Sequence, residues 1–149
     1  FYGSAKRGAS ITAYNRVSKE KILNNEKYMS PDYVLVLDPA LVLSEDIILN
    51  AKESTKYVLG THLSKDEILE KAPFLKGRDL YIVDCIKISK ETIGRPIPNT
   101  TILSAFMNVS GMFSIDEFQE SMKQVLHKFP QNIIDANMQA ISRAYSEVS

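Results

Sequence analysis

Residues 33–38 read YVLVLD, and this run restricts what the chain can fold into more than any other stretch. Five apolar or aromatic residues in succession leave no side for water, so a strand built from them must be covered on both faces. The run cannot serve as a membrane span, because Asp38 and Pro39 interrupt PDYVLVLDPALVL far short of bilayer thickness. Two later stretches, KYVLGT (56–61) and DLYIVD (79–84), repeat the pattern, and each ends in a small or polar residue. Helical signals lie between them. SEDIILNAKES (44–54) opens on Ser44 as an N-cap with acidic residues in the first turn, where the helix dipole favours them. SKDEILEKA (64–72) carries a capping box, Ser64 with Glu67 three residues on. Strands alternating with helices predict an α/β domain with a largely parallel sheet. One more strand is expected over 10–18, SITAYNRVS, where Ile11, Ala13 and Val17 alternate with Thr12, Tyr14 and Arg16.

The second half reads as helical. In RPIPNTTILSAFMNVSGM (95–112), Pro96 and Pro98 precede Asn99, the expected N-cap, and no breaker follows until Gly111. The stretch 114–129 has a second capping box, Ser114 with Glu117, and an apolar stripe of Ile115, Phe118, Met122, Val125, Leu126 and Phe129. After Pro130 a last helix is expected over about 132–148, with Ile134, Met138, Ile141, Tyr145 and Val148 at helical spacing. No repeat or low-complexity linker divides the chain, so a single domain over 1–149 is expected.

Composition removes several classes of function. Lysine plus arginine equals aspartate plus glutamate at 18 each, so no global field recruits nucleic acid or an acidic membrane, and any anion site must be local. The single cysteine, Cys85, cannot form an internal disulfide and cannot supply the four ligands of an iron–sulfur cluster. It suits a reducing compartment, and a cytoplasmic location is expected. His62 and His127 have no ligand spacing, so no metal site is expected.

Two stretches could bind a ligand. In FYGSAKRGAS, Gly3 and Gly8 bracket the adjacent pair Lys6–Arg7. Glycines allow left-handed dihedrals and close approach, successive N–H groups can form an anion nest, and the two cations add charge-assisted hydrogen bonds. A solvated surface loop explains the same composition. In RPIPNTTIL, Asn99 and Thr100 could present a helix N-terminus to a ligand, although capping alone also accounts for the asparagine. Asp38 and Asp84 end predicted strands and are expected to cap the turns that follow. Cys85 is expected to pack as a small apolar residue, and Phe1 and Tyr2 could stack on a base or simply join a core. No nucleophile–base pair is present, so no catalytic residue is assigned.

Taken in order, YGSAKRGASITAYNRVS, PDYVLVLDPAL, RPIPNTTILSAF and NMQAISRAYSEV resemble the gamma subunit of the 2-oxoacid:ferredoxin oxidoreductases, with the pyruvate and branched-chain members closest. Members of that family begin with a strand and a Gly-Gly-Gln-Gly turn that has no counterpart here. The resemblance therefore implies a three-layer, doubly wound, mostly parallel sheet with helices on both faces, lacking its first glycine-rich βα unit. Ala5 stands where many relatives carry glutamate, Lys6 where arginine is frequent, and Ser10 where proline is frequent. The resemblance also implies a division of labour. Alpha and beta partners hold thiamine diphosphate and magnesium, a delta partner holds iron–sulfur clusters that pass electrons to ferredoxin, and the gamma chain contributes to the coenzyme A site and to assembly. By that resemblance Lys6, Arg7 and Gly8, with Asn99 and Thr100, are the expected coenzyme A-binding residues. A purely structural interaction domain, whose loop meets an acidic patch on a partner, is the alternative. A stand-alone adenine-nucleotide-binding module is a third reading, and the absent glycine-rich turn argues against it.

Overall fold

The computed structural model describes residues 11–23 and 30–149. Three strands, β1 (Tyr33–Val36), β2 (Lys56–Gly60) and β3 (Asp79–Val83), form a parallel sheet in the order β1-β2-β3. Thr61 N donates to Val83 O at 3.1 Å and extends the ladder past β2. The outer edge of β3 is met by the end of the chain, where Ile82 and Ser149 exchange backbone bonds of 2.8 and 3.2 Å.

Side chains alternate cleanly across the sheet, as the pleat requires. Tyr57 and Leu59, with Val36 and Leu80, face a cluster completed by Ile68, Ala72 and Leu75. Val58 and Val83 face the other way, toward Cys85, Ile88, Ile102, Ala105, Ala140 and Ala144. The first cluster is capped by α1 (Lys65–Lys71) and the 3-10 turn at Pro73–Leu75, the second by α2 (Cys85–Thr92), α3 (Asn99–Ser110) and α5 (Gln131–Glu147). The sheet is thus sandwiched between helices, an α/β architecture; Val34 and Val36 pack on one face and Leu35 on the other, while Leu37 of the apolar run stays 42% exposed.

Local signals explain most element boundaries. Ser64 and Ser114 both form the expected capping boxes, for α1 and for α4 (Ile115–Val125). Gly111 ends α3 in the left-handed conformation, φ 63°, which glycine adopts at little cost. α3 and α5 pack closely because mainly small residues face each other, Ser104 and Ala105 against Ala140, Ile141 and Ala144. Ser104 Oγ donates to Ile141 O at 2.7 Å, and Asn108 Nδ2 donates to Tyr145 O at 2.8 Å, pinning the two helices together.

Several expectations are corrected. Residues 11–18 form no strand, and Ile11 and Val17 are 68% and 69% exposed. Alternation makes a strand only when the segment pairs with a neighbour, and residues 11–18 pair with none of β1, β2 and β3. The expected helix over 44–54 is a single 3-10 turn, Glu45–Ile48, capped by Ser44. Leu49 turns to an extended ψ of 126° and Asn50 takes a left-handed φ of 61°, so the helix cannot continue. Thr55, fully buried, then accepts from Lys52 N at 2.9 Å and donates to Pro31 O at 2.7 Å, which aims the chain into β2. α4 stops at Val125, short of Phe129, and leaves Val125 and Phe129 exposed. The buried face of α5 is Asn137, Ala140, Ile141 and Ala144, rotated from the expected stripe toward its small residues. Helix α2 carried no clear signal in the sequence; Asp84 starts it by accepting from Lys87 N at 3.0 Å.

No described helix is long and apolar enough to cross a membrane.

Two outcomes follow from this packing. A Cβ at Gly60 would sit 2.9 Å from Val36 O and 3.4 Å from Leu37 O, both backbone atoms that cannot step aside. Gly60→Ala is expected to lower stability by about 1–3 kcal/mol, read as a shift of the urea midpoint at constant slope. Burial pushes the Cys85 thiol up to about 11. At pH 8 only about one molecule in a thousand is then thiolate, so a thiol reagent is expected to label Cys85 only as fast as the chain unfolds. Rapid labelling of the native protein would contradict that burial.

Candidate functional site at the carboxyl edge of the sheet

In an open parallel sheet the strands point their carboxyl ends at one edge, and the loops that diverge there leave a crevice. Here those loops are residues 37–39 after β1, 61–63 after β2 and Asp84 after β3. A cleft of about 620 Å³ opens between them, lined by Pro39, His62, Asp84, Ile86, Lys87, Lys90 and Glu91. A smaller cleft of about 280 Å³ adjoins it, lined by Leu37, Asp38, Pro39, Ile86, Pro96 and Pro98. Pro39 and Ile86 belong to both, so one apolar floor runs from the start of α3 to the cations of α2.

The carboxylates of this region are already engaged. Asp38 Oδ1 accepts from Ala40 N at 2.9 Å and Asp84 Oδ1 accepts from Lys87 N at 3.0 Å, so both strand-ending aspartates cap the turns that follow. Glu91 pairs with Arg143 Nη1 of α5 at 2.7 Å, and that guanidinium holds the Glu91 carboxyl below its usual range. Lys87 and Lys90 form no salt bridge among the described residues. His62 is exposed at the mouth of the larger cleft.

The start of α3 differs in detail from expectation. Pro98 holds the cap position with no side-chain cap bond, and Asn99 is the first helical residue. Asn99 stays exposed, and its Oδ1 accepts from Thr100 N at 2.8 Å. Thr100 is 8% exposed, so its hydroxyl has little access to solvent. Of this pair, only Asn99 presents a polar group at the surface, directly after the proline that walls the smaller cleft. Lys6, Arg7 and Gly8 lie outside the described residues, as do Phe1 and Tyr2.

His62, Lys87 and Lys90 line the larger cleft but were not singled out from the sequence. The available signal was positional: a histidine just past a strand end, and two lysines three apart on one helix face. It became usable only once α2 was known to be a helix. Among the described residues, no three of histidine, cysteine, aspartate and glutamate gather as metal ligands. Cys85 is alone and buried, and so does not fit a cluster site.

Comparison with known proteins agrees with this architecture. The pyruvate ferredoxin/flavodoxin oxidoreductase family matches residues 1–147. The pyruvate/ketoisovalerate oxidoreductases common subunit gamma of Pyrococcus furiosus is 34% identical over 147 residues, 99% of this chain and 77% of the relative. Pyruvate synthase subunit PorC of Methanothermobacter marburgensis is 34% identical over 151 residues, again 99% of this chain and 77% of the relative. The crystal structure of the pyruvate oxidoreductase subunit PORC from Thermotoga maritima superposes with a TM-score of 0.72 at 31% identity, covering 82% of this chain and 66% of that one. A parallel sheet sandwiched between helices, matched along nearly all of its sequence, places the chain in the pyruvate ferredoxin/flavodoxin oxidoreductase family, among its gamma or PorC subunits.

Proposed function

We propose that this chain is one gamma-type domain of a cytoplasmic 2-oxoacid:ferredoxin oxidoreductase, where it docks coenzyme A and helps hold alpha, beta and delta partners together. The observation that carries this reading is the crevice at the carboxyl edge, where parallel α/β sheets take their ligands. Its floor is apolar, His62, Lys87 and Lys90 stand along it beside Asp84 and Glu91, and the start of α3 with Asn99 borders one end. Coenzyme A suits such a surface, having a 3′-phosphate, a diphosphate and a long, weakly polar pantetheine arm.

The residues of this chain bind and orient, and by doing so they raise the effective concentration of the acyl acceptor. Lys6 and Arg7, beside Gly8, neutralise phosphate charge, and Asn99 and Thr100 set the helix start beside the ligand. Thiamine diphosphate with magnesium and the iron–sulfur clusters, held in partner subunits, supply decarboxylation and the electron path to ferredoxin.

A second reading, an interaction domain with no ligand of its own, is favoured by one feature. Met112, Phe113, Val125 and Phe129, at the two ends of α4, are 43–69% exposed, more apolar surface than a free helix keeps without a use.

Kinetics on the assembled complex separate the two. Lys6→Ala with Arg7→Ala is expected to raise the KM for coenzyme A by roughly tenfold or more while subunit stoichiometry on gel filtration is unchanged. Asn99→Ala should give a smaller rise in the same direction. An unchanged KM with weakened assembly would instead support the interaction domain.

A further inference from the structure

We propose that Ser89 and Thr101 are positioning residues, two buried hydroxyls that fix the Pro96–Pro98 wall of the smaller cleft and, with it, the placement of Asn99 at the start of α3. The proposal rests on the coenzyme A-docking reading and adds to it two residues that do not themselves touch the ligand.

The case starts from what α3 lacks. Its cap residue, Pro98, makes no side-chain cap bond, so the usual clamp on a first helical turn is missing. The hold comes from beneath instead. Ser89 Oγ, in the last turn of α2, donates to Ile97 O at 2.7 Å, and Thr101 Oγ1 donates to Pro98 O at 2.9 Å. The two hydroxyl oxygens lie 3.5 Å apart, and both residues are wholly buried. A helical threonine bonding three residues back is ordinary. Ser89 is different, because it reaches from one helix to the loop that enters the next. Its own carbonyl also accepts from Ile93 N at 2.8 Å and Gly94 N at 3.1 Å. One residue thus closes α2 and fixes the far end of the loop that follows.

That loop is stiff in part and loose in part. Pro96 and Pro98 lock their own φ and have no N–H to give, whereas Gly94, at φ 79°, leaves the approach free to swing. A bond from Ile97 N to Arg95 O at 2.9 Å lies within the loop and ties it to neither helix. Ile97 stands between the two prolines that wall the smaller cleft, and two residues before the exposed Asn99. Ser89 therefore sets the cleft wall and Asn99 together. Without its hydroxyl the Ile97 carbonyl turns to water and the loop goes with it. The binding surface must then be ordered again by each ligand, which weakens affinity and leaves the chemical step alone.

The test measures coenzyme A kinetics of the assembled complex carrying Ser89→Ala, Asn99→Ala or both. Ser89→Ala is expected to raise the KM for coenzyme A about threefold, with kcat at saturation within about twofold and subunit stoichiometry unchanged. In the Asn99→Ala background it is expected to add little, because it acts through that residue. An unchanged KM in Ser89→Ala, while Asn99→Ala raises it, would overturn the positioning role and leave the docking reading standing. Full multiplication of the two effects would overturn it as well. If Asn99→Ala and Lys6→Ala with Arg7→Ala all leave KM unaltered, the docking reading falls and this proposal with it. Should Ser89→Ala fail to assemble, Thr101→Val against Thr101→Ser decides: a KM raised by valine and restored by serine supports the role, and equal KM values overturn it.

Discussion

The fold depends on β2, which pairs with a strand on each edge and is buried on both faces. Tyr57 and Leu59 supply one core and Val58 the other, so a slip of one residue would expose both at once. At its carboxyl end Gly60 lets the backbone carbonyls of Val36 and Leu37 come closer than a side chain would permit. Just beyond that close contact β1 leads into the turn at Asp38 and Pro39 and β2 into Thr61 and His62. The crevice begins there. Core packing and candidate site are thus consequences of a single strand and its terminal glycine.

Strands with a continuous apolar run were legible in the sequence because burial on both faces leaves no other composition available, and all three formed. Helices with a capping box were legible for an equally local reason, since Ser64 with Glu67 and Ser114 with Glu117 satisfy helix-end N–H groups whatever the tertiary context. The failures came where the outcome depended on a distant partner. The alternating pattern of residues 11–18 is a genuine strand pattern that pairs with no strand of the sheet. The run IIL at 47–49 looks helical, but Thr55 and its bond to Pro31 redirect the chain before a second turn can form. α2 is short, with Ile86 and Ile88 giving it a strand-like composition, and only its cap at Asp84 and its burial against α5 make it a helix.

The site was legible to a lesser degree, and for the same reason. Asn99 could be located because prolines and an asparagine mark a helix start, although it proved to be the first helical residue and Pro98 the cap. Lys87 and Lys90 could not be placed in the cleft wall, since that depends on α2 being a helix.

In the proposed reading assembly and ligand docking need not compete: Met112, Phe113, Val125 and Phe129 flank α4, whereas the crevice lies at the strand ends between α2 and the start of α3. Hydrogen–deuterium exchange of the assembled complex, with and without coenzyme A, tests this arrangement most directly. The account predicts that added coenzyme slows exchange in residues 37–40, 61–63 and 84–91 and at the start of α3, with α4 unchanged. Unaltered exchange in those loops, with protection confined to α4 or to other subunits, would contradict it.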